Sequence, residues 1–230
     1  MKAYKTNLIL IFLLLGISPW AFSASAEMSS KHLRLVKDLM NNNLAYSQDA
    51  TTTNIIEWEE EIVDSLRQKK DYRNMFLMKQ MAVYAYSLQA KISEALKKAD
   101  AMMDEARLMK YNIGISLSYQ ALGDIYLNAG MRPEAVEEYE KAMKTLQATP
   151  HAEKIQERIF IQLVPTLIKL KRMDEAKAYL EHMSEICESK CLSPFLLYAY
   201  HAYYYLRNND LSKAREYIDE AIKIIFTTIS

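Results

Sequence analysis

The chain has 230 residues, half of them apolar and a quarter charged, so it is not a disordered chain that lacks apolar surface to bury. Its 29 basic and 29 acidic residues cancel, which leaves no positive excess for nucleic acid. Only four glycines and five prolines argue against collagen-like and turn-rich β chains, and two cysteines cannot form a multi-bridge disulfide scaffold. These counts favour one helical domain of ordinary size.

Residues 1–26 are predicted to be a cleaved export signal. Two lysines precede the apolar run Leu8–Ile17, and small residues occupy the two recognition positions of Ala24–Ala26, so cleavage is expected before Glu27. The alternative is a membrane anchor, but an apolar run of about ten residues is too short to span about 30 Å of hydrocarbon. We therefore expect an exported protein, periplasmic in a cell with two membranes and otherwise extracellular.

Residues 27–70 are predicted to form an N-terminal capping helix pair. The expected helices are about Ser30–Ala45 and Asn54–Gln68, joined by a polar loop that contains Thr51–Thr53. Asn54 and Glu57 have the spacing of a capping box at the start of the second helix. Apolar residues recur every four positions along that helix and would cover the next hairpin: Trp58, Ile62 and Leu66.

The clearest internal repeat is Ser116–Pro150, which has the pattern of two helices joined by a short turn. Offsets of 0, 3, 4 and 7 place four packing residues on one face of a first helix: Tyr119, Leu122, Gly123 and Tyr126. Asn128–Gly130 would end that helix, and Pro133 suits the first turn of the next one. The packing face of the second helix contains Ala135, Tyr139 and Ala142.

This pattern, Tyr-x2-Leu-Gly-x2-Tyr followed by Gly, Ala-x3-Tyr-x2-Ala and a late Pro, resembles the tetratricopeptide repeat (TPR). The weaker copies place an alanine at the same point of each second helix, at intervals near 40 residues rather than the usual period of about 34: Ala95, Ala135, Ala176 and Ala214. The resemblance implies an all-α, right-handed α-solenoid of about five antiparallel hairpins, with long repeats at about 72–110, 112–150, 152–190 and 194–227.

The last repeat is predicted to pack through a tyrosine-rich first helix and an alanine-marked second helix. Its expected packing residues are Tyr198, His201, Ala202 and Tyr205, then Ala214, Ile218 and Ala221. His201 takes the position of a packing residue, so we interpret it as a structural histidine. The apolar residues that follow Ala221, Phe226 among them, are expected either to dock on a partner such as a second copy of the chain, which would form a homodimer, or to indicate a shortened version of a longer protein.

The sequence contains little that could support catalysis. The four histidines are scattered without metal-binding spacing, and no nucleophile elbow, P-loop or dinucleotide-binding turn is present. We therefore expect no enzyme activity, metal or cofactor. Cys187 and Cys191 lie between two repeats, where export would allow a structural disulfide; two free thiols and a redox pair are the alternatives.

The TPR resemblance implies that the first helices line a concave groove that binds a protein or peptide. Nine polar and aromatic residues are candidates for that groove: Gln80, Tyr84, Gln120, Asp124, Asn128, Arg158, Lys169, Tyr203 and Arg207. Tyrosine and arginine are common at binding hot spots, although these positions could also be ordinary surface or inter-repeat contacts. The Lys, Asn, Lys set with which some TPR domains clamp a C-terminal carboxylate is absent from the corresponding positions.

The function expected from the sequence is a non-catalytic exported scaffold that binds a protein or peptide, with no nucleic acid partner and no membrane span after signal cleavage. The alternative is a detached or truncated sensory module of a signal-transduction system, since long, tyrosine-rich repeats behind a signal peptide also resemble the extracytoplasmic halves of TPR-type sensor histidine kinases. An enzyme remains only if the chain has an unrecognised site.

Overall fold

A computed structural model describes residues 48–190 and 194–229, with side chains described over 55–186 and 194–224. The chain divides into two compact units, Met1–Met131 and Arg132–Ser230, where composition alone favoured one. All regular structure in the described residues is α-helical, without a strand. The predicted signal at 1–26 and the predicted helix at 30–45 lie outside the described residues.

Four helices form the described part of unit 1. They are α1 (Gln48–Gln68), α2 (Tyr72–Leu88), α3 (Ile92–Leu108) and α4 (Asn112–Asn128). Each helix packs on the next one, and α2 also packs on α4. The centre of this packing is apolar, because small alanines let the helices approach and larger side chains fill the remaining space. Its core cluster consists of Val83, Ala95, Ala99, Ala121 and Ile125.

Five helices form the described part of unit 2. They are α5 (Arg132–Leu146), α6 (Glu153–Lys169), α7 (Met173–Lys190), α8 (Pro194–Arg207) and α9 (Leu211–Ile229). Each helix again packs on the next, and α6 also packs on α8. The all-α class and the consecutive packing expected of a TPR-like α-solenoid are therefore confirmed in both units. The handedness of the array stays a prediction.

Six of the described turns between helices share one backbone conformation. Each of the six has a residue with positive φ, in the left-handed region, two residues after the helix ends: Lys70, Ala90, Lys110, Gly130, Lys171 and Asn209. The longer turn after α5 differs, because its positive-φ residue, His151, lies two residues before α6 begins. At α2, Ala90 N donates to Ser87 O at 3.1 Å and Lys91 N donates to Tyr86 O at 3.0 Å, which is the Schellman pattern. This pattern satisfies carbonyl groups that the end of a helix leaves free.

The packing residues predicted from the repeat are confirmed in most places. The four second-helix alanines, from Ala95 to Ala214, are all buried, and Tyr139 and Ala142 are fully buried in α5. Gly123 is buried in α4, while Tyr119, Leu122 and Tyr126 are half-buried. A close helix approach in unit 1 is at Gly114, where an added Cβ would lie 2.9 Å from the Ala106 Cβ.

Two local predictions are wrong. Helix α1 begins at Gln48, so the residues Thr51–Thr53 are helical and Asn54 does not begin the helix. The low helix propensity of threonine is a weak preference, and the buried stripe of Ile55, Ile62 and Leu66 outweighs it. Ile218 is 44% exposed rather than packed, because its neighbour Tyr217 takes the contact with α8 and one residue turns the helix by about 100°.

Candidate partner-binding site

The structure brings together the five candidate residues of unit 1. Gln80 and Tyr84 lie on α2, and Gln120, Asp124 and Asn128 lie on α4, the helix packed beside it. We call this polar contact between α2 and α4 the polar seam. In unit 2, Arg158 and Lys169 lie on α6, and Tyr203 and Arg207 lie on α8. Arg158 and Tyr203 are half-buried, whereas Lys169 and Arg207 are exposed.

One buried hydrogen bond forms the centre of the polar seam. Gln80 Nε2 donates to Asp124 Oδ2 at 2.9 Å, and each residue is only 4% exposed. A buried carboxylate is costly unless hydrogen bonds replace its water, so the amide of Gln80 stabilises the charge of Asp124. These two residues therefore lie beneath the surface of α2 and α4 instead of lining an open groove.

A second polar link joins the same helices near their C-terminal ends. Asn128 Nδ2 donates to Ser87 Oγ at 2.7 Å, and Ser87 Oγ donates in turn to the backbone carbonyl of Tyr84 at 2.8 Å. Sequence reasoning missed Ser87. The signal that could have found it is its position seven residues after Gln80, which places the two side chains on the same face of α2.

Tyr84 lies at the edge of the polar seam, half-buried against it. Burial, and then the negative charge of Asp124, raise the pKa of Tyr84 to about 12. The phenol consequently keeps its proton at neutral pH and can donate a hydrogen bond. Gln120 is 3% exposed, and its Oε1 has no hydrogen-bond partner among the described residues. The seam is thus rich in oxygen acceptors.

His201 has a structural setting, as its repeat position predicts. Its ring stacks on Tyr217 with the centroids 4.6 Å apart, and its Nε2 lies 3.2 Å from Ser184 Oγ. Burial lowers the pKa of His201, while the charge of Glu181 opposes that shift. Within the part of the chain that the structure describes, no group of three or more His, Cys, Asp or Glu could hold a metal ion. The side chains of Cys187 and Cys191 lie outside that part, so the disulfide stays a prediction.

Comparison with known families supports the repeat. The tetratricopeptide repeat family model matches residues 117–145, which lie in α4 and α5 and include every packing residue of the motif. A search of curated proteins finds no match. Among the described residues, no helix combines the length and apolarity needed to cross a membrane. TPR units are built to present binding surfaces to proteins, so a protein-interaction role follows from the repeat itself.

Proposed function

We propose that this chain is a non-catalytic scaffold that binds a protein or peptide through the surface of α2 and α4 over the polar seam. The observation that carries the proposal is the buried pair Gln80–Asp124 together with the Asn128–Ser87 link. Buried polar groups contribute less to stability than a well-packed apolar contact of the same shape. We therefore infer that these groups position the neighbouring Tyr84 and Asn128 for a partner, rather than serving stability alone.

The residues that a partner would contact are Tyr84 and Asn128. Tyr84 is half-buried against the seam, which leaves part of its side chain accessible, and Asn128 is exposed apart from its bond to Ser87. A tyrosine that is already partly fixed loses little rotamer freedom on binding, and its ring offers a large contact area with a polar tip. Both side chains can form hydrogen bonds with the backbone of an extended or helical peptide.

The test uses a phage-displayed library of random peptides selected against the protein. Peptides enriched on the unaltered chain should bind the Tyr84→Ala variant at least tenfold more weakly, because truncation of a hot-spot tyrosine costs about 2 kcal/mol or more. Lys97→Ala, at an exposed position of α3, is the matched control and should leave binding unchanged. Equal binding to Tyr84→Ala and Lys97→Ala would contradict the proposal, provided that circular dichroism shows both variants folded.

The four candidate residues of unit 2 form a second part of the proposal. Arg158 and Lys169 on α6 and Arg207 on α8 are basic, and Tyr203 on α8 is half-buried. We propose that they contact an acidic stretch of a peptide partner. Arg207→Ala should weaken binding of acidic library peptides and make that binding less sensitive to salt; an unchanged salt dependence would remove these residues from the site.

We also propose that a second copy of the chain docks on α9. An apolar stripe remains exposed there at intervals of seven and four residues, with exposed fractions of 64%, 44% and 43%: Leu211, Ile218 and Ile222. The described charges of α9 cancel, so self-association meets no net repulsion: Lys213, Arg215 and Lys223 against Glu216, Asp219 and Glu220. Light scattering should find a dimer that Ile218→Glu converts to a monomer. A monomer without the substitution would contradict this.

We further propose that the chain is exported, on the strength of its sequence pattern at residues 1–26. Expression of the full chain in a bacterium with two membranes, followed by N-terminal sequencing of the periplasmic fraction, should give a mature protein that starts at Glu27. A protein that keeps Met1 and stays with the cytoplasm would overturn this localisation. The alternative role as a sensory module stays a prediction.

A further inference from the structure

The hydrogen-bond ladder of α6 is interrupted by Pro165, which lies well inside the helix Glu153–Lys169. In an uninterrupted α-helix the N–H of residue 165 would donate to the carbonyl of Ile161. Proline has no N–H, and its ring also crowds the carbonyl four residues earlier and turns it away from the helix axis. The carbonyl of Ile161 therefore loses its helical donor while Ile161 itself is buried, at 5% exposure.

A side chain from α8 replaces the missing donor. Tyr200 donates its hydroxyl to the backbone carbonyl of Ile161 at 3.2 Å, in a buried position. Burial raises the pKa of Tyr200 far above its usual range, so the hydroxyl keeps the proton that it donates. The neighbouring carbonyl of Gln162 also accepts from a side chain, since Thr166 Oγ1 donates to it at 2.6 Å.

We infer that Tyr200 is a latch that fixes the direction of α6 across Pro165. The Tyr200 hydroxyl reaches the carbonyl of Ile161 only while α8 lies against α6, so displacement of α8 would remove this donor from a buried acceptor. The break divides α6 into a segment that carries Arg158 and a segment that carries Lys169. Docking of α8 therefore sets the relative orientation of two candidate binding residues on a different helix. The latch depends on a hydrogen bond within the chain and on no partner.

Native-state hydrogen exchange on the full chain tests the latch through a double-mutant cycle of Pro165→Ala and Tyr200→Phe. Tyr200→Phe alone should speed exchange of the amides at 166–169 about tenfold, because it leaves the carbonyl of Ile161 unpaired. In the Pro165→Ala background an alanine N–H can serve that carbonyl. The same Tyr200→Phe change should then alter exchange by less than about twofold. A tenfold difference in exchange corresponds to about 1.4 kcal/mol.

The control is Tyr204→Phe, which removes the hydroxyl of another tyrosine on α8. The residue as a whole is 6% exposed, and its hydroxyl forms no hydrogen bond with another described residue. This variant should leave exchange at 166–169 unchanged. The latch would be overturned if Tyr200→Phe had the same effect with and without Pro165, or no effect in either background. It would also be overturned if Tyr204→Phe matched Tyr200→Phe, because the hydroxyl would then act through general packing alone.

Discussion

The two units use the same pairing of first helices, α2 with α4 and α6 with α8, but different chemistry between them. In unit 1 the contact contains the Gln80–Asp124 pair and the Asn128–Ser87 link. In unit 2 the corresponding cross-helix bond runs from Tyr200 to a backbone carbonyl and repairs a break in the ladder of α6. Seven of the eight buried polar side chains among the described residues belong to unit 1, and Thr166 is the exception.

This difference raises the question of why the contact between α2 and α4 contains buried polar side chains. The α6–α8 contact is much less extensive than the α2–α4 contact, and its cross-helix hydrogen bond uses a backbone carbonyl rather than a pair of polar side chains. The polar side chains between α2 and α4 are therefore a feature of the more extensive contact in unit 1. Buried polar groups cost stability relative to an apolar contact of the same shape, and such groups can be retained for function or for specificity. We propose that those of the polar seam serve partner binding.

The largest expected effect comes from breaking the polar seam on one side. Gln80→Leu removes the donor to a buried carboxylate and should lower the free energy of unfolding by about 1.5–3 kcal/mol. The double variant Gln80→Leu/Asp124→Leu removes both partners and should recover most of that loss. Urea denaturation measures both values. In unit 2, Thr166→Val should cost less, since Thr166 bonds within its own helix. A double variant as unstable as the sum of its singles would contradict the comparison.

The free energy of unfolding should change by about 2 kcal/mol with pH through the ionisation of Tyr84. The pKa of Tyr84 lies about two units above that of a normal tyrosine, and the partial exposure of the ring reduces the energy that corresponds to this shift. The raised pKa stabilises the fold fully below pH 10. That stability is lost as the pH rises from about 10 to about 12, where the folded-state phenol ionises. Above pH 10 the unaltered chain should therefore lose stability relative to Tyr84→Phe in denaturation curves. Parallel curves through pH 12 would show that Tyr84 is not buried against Asp124.

A smaller loss of stability, about 1–2 kcal/mol in the free energy of unfolding, is expected when a side chain is added where two helices of unit 1 lie close together. Gly114→Ala would place a methyl group 3.0 Å or less from Phe76 and Ala106, so packing must shift even though alanine favours the helix. Thermal denaturation should show the loss. Ser93→Ala, at an exposed position of α3, should change stability by less than about 0.5 kcal/mol. Equal melting temperatures for the two variants would contradict the close packing of helices at Gly114.

The smallest changes in stability are expected from substitutions in the turns. These changes should be the same in both units, because the turns compared have the same left-handed backbone conformation. Ala90→Gly in unit 1 and Lys171→Gly in unit 2 each relieve a left-handed backbone conformation and should stabilise by about 1 kcal/mol. Gly130→Ala should destabilise by a similar amount, because its φ of +81° is unfavourable for alanine. No further steric cost is expected, since no other atom lies within 4 Å of an added Cβ. Chemical denaturation can resolve these differences. A gain in one unit alone would indicate that the turns are not equivalent.

The sequence predicts the repeat well because its signal is periodic. The buried alanines at intervals near 40 residues mark the second helices wherever they occur, and the motif at Tyr119–Ala142 matches a family model. The turns gave little signal, because residues such as Lys70 and His151 take a backbone conformation that glycine usually marks. Helix α1 also begins earlier than its threonines suggested, since burial outweighed propensity.

The sequence predicted most residues of the candidate site, but it could not predict the hydrogen bonds between them. Gln80 and Asp124 were both candidate residues on the first helices of neighbouring repeats, although Gln80 corresponds to Gln120 and Asp124 to Tyr84. Only the packed helices show that Gln80 donates to Asp124 beneath the surface. The same limit applies to α6. Pro165 is visible as a break in a helix, but its replacement donor, Tyr200, is 39 residues from the acceptor Ile161 along the chain. Such pairings depend on which helices lie side by side.

The most direct test of the assigned role is isothermal titration calorimetry of a library-selected peptide against the unaltered chain and Gln80→Leu/Asp124→Leu. This double variant replaces the buried polar pair of the α2–α4 contact with apolar side chains. We predict that the variant stays folded, within about 1 kcal/mol of the unaltered chain, and binds the peptide at least tenfold more weakly. A folded variant with an unchanged Kd would contradict the claim that the polar seam serves partner binding.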